Sequence, residues 1–298
     1  MHKGRGGAYR AHEALLKQAR ARPELWRLLS GLTVVAVIVV ASNLLLIALL
    51  AGLVAPGQSA DLLSATTPTS LLILLASFGI ITLSVAIAAH AFQHRNLASI
   101  LGVWPTALQQ FWRVLRALIL LAVVMSLLPP YSLGEPLQPN LNLSIWLIFL
   151  PLSLIAVLIQ TSAEEVLFRG YLQQSLAARF RSPVIWIGLP SLLFAAGHYA
   201  PASTGDNALL VAVWACVFGL LAADLTARAG TLGPAIALHF FNNVVALLFV
   251  ALPDSLSGLA LYLLPFDMSD TNLLRQWLYV DFGVMIVCWL TARLALRR

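Results

Sequence analysis

Apolar stretches of roughly twenty residues recur along this 298-residue chain, and about twenty is the number an α-helix needs to cross the hydrocarbon of a bilayer. The strongest runs from Leu28 to Val54. Others lie at Leu71 to Phe92, Val114 to Leu128, Ile145 to Ala163, Val184 to Ala200, Ala208 to Ala227, Leu232 to Leu252 and Val280 to Leu296. The Val114 run is short and predicts a tilted or weaker crossing. With 60% hydrophobic and 10% charged residues and a mean hydropathy of +0.88, the chain carries more apolar surface than one soluble core can bury, so the surplus must face lipid. The expected fold is all-α, a polytopic transmembrane helical bundle of about eight spans. The first run is well beyond the roughly 7 to 15 apolar residues of a secretory signal and follows a long polar segment, so it is expected to stay as an anchor.

The cations set the orientation. Lys3, Arg5, Arg10, Lys17, Arg20, Arg22 and Arg27 precede the first span; Arg95, Arg113, Arg116, Arg179, Arg181 and Arg228 fall in the even-numbered connections; Arg293, Arg297 and Arg298 close the chain. The opposite connections hold Asp61, Glu135, Asp206, Asp254, Asp267 and Asp270, with Arg275 as their cation. This positive-inside pattern predicts both termini in the cytoplasm and an even number of spans. The formal charge of +6 is then a topology signal, and no nucleic-acid partner is expected. Residues 1–27 read as a basic cytoplasmic segment that can touch anionic lipid heads, and residues 28–298 as a single transmembrane domain. The Pro-containing stretches Pro129 to Pro139 and Pro253 to Pro265 read as external loops. Trp26, Trp146, Trp186 and Trp277 fall near span ends, where interfacial anchors belong. Cys216 and Cys288 lie within spans and have no metal-like spacing.

Polar residues that interrupt apolar helices carry the functional information, because a charge at the bilayer centre costs at least about 2.5 to 3.5 kcal/mol. Three clusters stand out: Glu164-Glu165-Val166-Leu167-Phe168-Arg169, Phe194-Ala195-Ala196-Gly197-His198 and His239-Phe240-Phe241-Asn242-Asn243. Glu165 and Arg169 are four apart and share a helix face, acid first, so they can neutralise each other. Glu164 is rotated about 100° away and is left free for general-base work on water. A plain helix-end salt bridge with a solvated second Glu would give the same spacing. Glu164 and His198 are nearly equidistant from the turn at Ser182-Pro183, each about 25 Å along its helix, and a straight hairpin brings them level. The polar portion from Gln173 to Arg181 should project into the cytoplasm, which puts the pair in the cytoplasmic half of the membrane. His239 and Asn243 also share a face, with Asn242 as a competing neighbour, and such residues can equally serve as interhelical glue.

In their order, the three clusters resemble the motifs Glu-Glu-x-x-x-Arg, Phe-x-x-x-His and His-x-x-x-Asn of the CAAX-protease and bacteriocin-processing (CPBP) family of intramembrane proteases, over roughly residues 145–250. The resemblance implies an endopeptidase with a catalytic cavity in the cytoplasmic half. Glu164 and His198 would hold and deprotonate a water, and His239 and Asn243 would donate to the developing oxyanion. Glu165 and Arg169 would support the helix. It favours Asn243 over Asn242. Family members have been described both as metalloproteases and as metal-independent glutamate proteases. No His-Glu-x-x-His is present, and a zinc ion would have to use Glu164, His198 and His239, so a metal-free glutamate mechanism is favoured, with Zn²⁺ as the alternative. The expected partners are membrane lipid and a membrane-anchored protein or peptide substrate, and the expected location is a bacterial cytoplasmic membrane. Two other classes fit parts of the pattern. A catalytically silent scaffold or immunity-type binding protein would keep the fold. A proton-coupled transporter would use Glu and His as a relay, although no inverted repeat is visible.

Overall fold

The computed structural model describes residues 7–53, 64–128 and 136–297. Lys3, Arg5, Asp61, Glu135 and Arg298 of the charge pattern, and residues 129–135 of the first proline-containing loop, lie outside them. The helices are α1 (His12–Ala19), α2 (Leu25–Leu53), α3 (Pro68–Ser77), α4 (Gly79–Gln93), α5 (Leu97–Leu101), α6 (Trp104–Ser126), α7 (Leu143–Glu165), α8 (Gln173–Arg179), α9 (Leu189–Gly197), α10 (Pro201–Thr204), α11 (Ala208–Ala229), α12 (Gly233–Val244) and α13 (Thr271–Leu296). π-Helical turns at Val166–Leu172, Val184–Gly188 and Val245–Phe249 join α7 to α8, precede α9 and extend α12.

Among the described residues, six helical stretches are long and apolar enough to cross a bilayer: Leu25–Gly52, Pro68–Gln93, Trp104–Ser126, Leu143–Arg179, Pro201–Ala229 and Thr271–Leu296. The chain is a multi-pass integral membrane protein with an all-α architecture. The fifth and seventh apolar runs form shorter helices, Val184–Gly197 and Gly233–Phe249. At 1.5 Å per residue the former is about 21 Å long, short of the roughly 30 Å of hydrocarbon. It stops where Gly197, a poor helix former, is closely followed by Pro201, which disfavours helix in the residue before it. The third span differs in the other direction, starting at Trp104 and not at Val114. Pro105 occupies its first turn, where the missing N–H costs nothing. Arg113 and Arg116 therefore lie on the helix itself with exposed side chains, and Arg116 Nε reaches back to the Trp112 carbonyl at 3.1 Å.

Burial separates periphery from centre. Only 6% of the best α2 window is buried, against 44% for Pro201–Ala229, so α2 shows Leu29, Val40, Leu44 and Leu45 outward, the face lipid covers, while α11 runs through the middle of the bundle. The two ends of the bundle differ in charge. At one end α1, α5, the start of α6, α8 and the α11–α12 turn converge. There Leu232 N–H donates to the Leu101 carbonyl, and Gln110 donates to Ala229 O at 3.3 Å. Among the described residues, this end carries Arg10, Lys17, Arg20, Arg22, Arg95, Arg179, Arg181 and Arg228. At the other end, three two-residue strands pair in the order β1 (Gln138–Pro139), β3 (Tyr262–Leu263), β2 (Val250–Ala251). Asn140 there bridges to the Ser257 and Ala260 carbonyls, close to Asp254, Asp267 and Asp270 in the chain.

Two sequence expectations need correcting. The Gln173–Arg181 portion projects only in part: Arg179 and Arg181 are exposed, but its first residues are not. Gln173 and Gln174 are fully buried, with Gln174 accepting from Arg95 and donating to Ile100 O at 2.9 Å. α1 packs over this region, burying His12, Leu15, Leu16 and Ala19. Trp146 and Trp186 are not interfacial anchors. Both are buried, because their indole N–H groups find internal carbonyls at Leu248 (2.8 Å) and Arg181 (3.4 Å). Trp26 is exposed, as an anchor should be.

Candidate functional site

The site is built on α7, α12 and the end of α9. A tight turn sets the depth of α12. Gly230 has φ +75°, and a Cβ there would meet the Ala11 carbonyl oxygen at 2.6 Å; a Cβ on Gly233 would overlap the Ala107 carbonyl oxygen. Neither position tolerates a side chain, and the close approach seats α12 between α1 and α6. His239 follows about 9 Å along the helix.

Glu165 lies at the centre of a buried polar knot. Its Oε1 accepts from Arg169 NH1 at 2.8 Å and from His239 Nδ1 at 2.8 Å, with Glu165 and Arg169 side chains 0% and 1% exposed. An ionised carboxylate only accepts hydrogen bonds, so the proton of this contact sits on Nδ1. His239 Nε2 then faces Glu164 Oε2 at 3.4 Å, and Glu164 keeps 14% side-chain exposure. The two adjacent glutamates thus occupy different environments: Glu165 is sealed and charge-paired, and Glu164 is the one a water can reach.

One turn earlier on α7, Gln160 repeats the cross-helix pairing. Its Oε1 accepts from Asn243 Nδ2 at 2.8 Å, and Asn242 Nδ2 donates to Asn243 Oδ1 at 3.2 Å. Glu164 with His239, and Gln160 with Asn243, are two rungs between two helices, each pair spaced by four residues. Position 160 was overlooked in the sequence, although a glutamine inside an apolar helix four residues before Glu164 is itself a polar interruption on the same face.

His198 stands apart from this ladder. Its Nδ1 lies 2.9 Å from the Phe194 carbonyl, closing the end of its own helix, and none of its hydrogen bonds joins it to Glu164. The direct contact of Glu164 is with His239 Nε2. Phe194 connects the parts. Its ring lies 4.4 Å from the His198 ring and 6.1 Å from the His239 ring, and the Arg169 guanidinium sits over it at 4.8 Å. Phe218 packs edge-on against His239 at 4.9 Å. These rings wall the ladder with apolar surface, which strengthens every electrostatic contact inside it.

Among the described residues, no group of three or more His, Cys, Asp or Glu side chains is placed to hold a metal ion. Of Glu164, His198 and His239, the first and last face each other, Oε2 to Nε2 at 3.4 Å, the other His239 nitrogen is held by Glu165, and the His198 hydrogen bond goes to the Phe194 carbonyl. A groove on the outer face of α6, lined by Pro105, Leu108, Gln109, Trp112 and Arg116, contains none of the site residues.

Residues 142–245 match the family model described as type II CAAX prenyl endopeptidase Rce1-like. This segment resembles that family. It runs from Asn142, which caps α7 through its side chain, to the turn after Asn243, and so encloses every residue of the ladder, His198 and Phe194. An uncharacterized protein of Bacillus subtilis (strain 168), YyaK, is 30% identical over 119 residues, which is 40% of this chain and 39% of the relative. The match therefore spans well under two thirds of that relative's length. No solved structure matches the chain.

Proposed function

We propose that the protein is an intramembrane endopeptidase in which Glu164 activates water against a peptide carbonyl of a membrane-associated substrate. The observation that carries this is the division of labour between adjacent carboxylates. Glu165 is consumed by Arg169 and His239, whereas Glu164 is partly open and faces His239 Nε2. In the proposed reaction Glu164 takes a proton from water as the water oxygen bonds to the carbonyl carbon. As the C–N bond breaks, the same carboxyl returns the proton to the leaving amine. His239, fixed by Glu165 through Nδ1–H, donates to the oxyanion through Nε2–H as the imidazolium, and Asn243 donates through its amide N–H. His198, whose Nδ1 faces a backbone carbonyl, has Nε2 left to hold the water.

The Rce1-like match supports an endopeptidase and makes a prenylated C-terminal peptide the natural first probe; the physiological substrate is a separate question. The metal-free route is part of the proposal, supported by a donor set in which one His239 nitrogen is already held by Glu165. The separation of cationic and acidic ends supports placing the cation-rich end, with both termini, in the cytoplasm.

The test uses full-length protein in nanodiscs and a fluorogenic prenylated peptide. Glu164→Gln and His198→Ala should each lower kcat by about 10²- to 10⁴-fold, and wild-type activity should survive exhaustive chelation. Cleavage by both variants at the wild-type rate refutes the protease assignment and leaves a scaffold or binding role. Activity lost on chelation and restored only by Zn²⁺ refutes the metal-free route.

A further inference from the structure

The Gln160 side chain is nearly buried within α7, and its Oε1 accepts a 2.8 Å hydrogen bond from Asn243 Nδ2. Asn243 is held from its other end as well, since its Oδ1 accepts from Asn242 at 3.2 Å. A primary amide has two N–H groups and one carbonyl oxygen. With one N–H given to Gln160 and the oxygen taken by Asn242, a single Asn243 N–H remains. Asn243 is only half-buried, so that N–H belongs to the uncovered side of the amide.

We propose that Gln160 is a positioning residue for Asn243. It fixes the rotation of the amide so that the remaining N–H is presented to the oxyanion of the reaction. The inference rests on the endopeptidase reading above and names a further residue of the same site. An unrestrained asparagine side chain can rotate its amide and exchange donor for acceptor. An oxygen facing a developing oxyanion would repel it, whereas a donor held in place costs no reorganisation as charge develops. The geometry on α7 fits this assignment: Gln160 and Glu164 are four apart, so the residue that orients the donor and the carboxylate that activates water share one helix face.

The experiment measures kcat and KM for full-length protein in nanodiscs with the fluorogenic prenylated peptide, using Gln160→Met, Asn243→Ala, the double variant and Glu164→Gln. Met has nearly the length of Gln and no acceptor. Gln160→Met and Asn243→Ala should each lower kcat on the order of 10²-fold with KM within about twofold. The double variant should be no slower than Asn243→Ala alone, because the two residues act as one unit. Should Gln160→Met fold poorly, Gln160→Asn keeps an amide one methylene too short and is expected to show the same loss. Wild-type kcat for the folded Gln160 variants beside impaired Asn243→Ala and Glu164→Gln overturns this inference alone. Multiplicative losses in the double variant overturn it too. Full activity of Glu164→Gln overturns the parent reading, and this one with it.

Discussion

Replacing Arg169 with Met removes the charge partner of a carboxylate that has no access to water. Glu165 is 0% exposed and Arg169 1% exposed, and their contact is 2.8 Å. After the substitution Glu165 keeps only His239 Nδ1 among its hydrogen bonds, and its Oε2 has no partner even in the intact protein. Breaking a buried ion pair from one side costs about 3 to 5 kcal/mol, because the remaining charge is stranded. That is a large part of a typical stability of about 5 to 15 kcal/mol. Arg169→Met should therefore be strongly destabilised in unfolding by SDS titration in mixed micelles, followed by tryptophan emission. The double variant Glu165→Gln/Arg169→Met removes both charges and keeps an acceptor for His239 Nδ1–H, so it should recover most of the loss. The reasoning fails if Arg169→Met unfolds at the wild-type midpoint, or if the double variant is less stable than the single one.

Three smaller predictions use the same assays. Gly233→Val forces a side chain into the Ala107 carbonyl; it should displace α12 and lower both stability and cleavage, whereas Gly188→Ala, with open space around its Cβ position, should leave both unchanged. Trp146→Phe removes the 2.8 Å bond to Leu248 O and should cost about 0.5 to 1.5 kcal/mol, since that carbonyl still accepts from Leu261 N–H. Burial, then the hydrogen bond to Asp224, holds the Tyr9 phenol above its ordinary value of 10.0. The stability it gives to the N-terminal clasp is complete below pH 10.0 and is lost as the pH climbs through the raised value. Limited proteolysis of the N-terminal segment should accelerate in that alkaline window for wild type, and Tyr9→Phe should show no such step.

The helical bundle was legible because hydrophobic run length is a direct consequence of bilayer thickness. The position of Leu28 to Val54 needed no tertiary information, and α2 spans Leu25–Leu53. Run length failed where packing replaced lipid as the surroundings. Gln173 and Gln174 look like a water-facing helix end, yet Gln174 pairs with Arg95 and Ile100, more than seventy residues earlier, and Gln173 donates to the Ala223 carbonyl, 50 residues later. Trp146 and Trp186 found internal carbonyls for the same reason. At the site, the i,i+4 rule located the Glu165–Arg169 contact, since both partners lie on one helix. The His239 bond to Glu165 crosses 74 positions, and no local spacing encodes which of two adjacent glutamates a distant imidazole will choose. His198 closes its own helix end on the Phe194 carbonyl, a feature its Gly197 and Pro201 neighbours signal.

The most direct measurement is a comparison of membrane proteomes, by mass spectrometry of new C-termini, from cells expressing the wild type or Glu164→Gln at equal levels. An endopeptidase that works through Glu164 should leave truncated membrane-associated proteins or peptides in wild-type cells, and these should disappear with the variant. Identical termini in the two proteomes, from cells in which both proteins are folded and membrane-inserted, would contradict the assignment of Glu164 as the group that activates water.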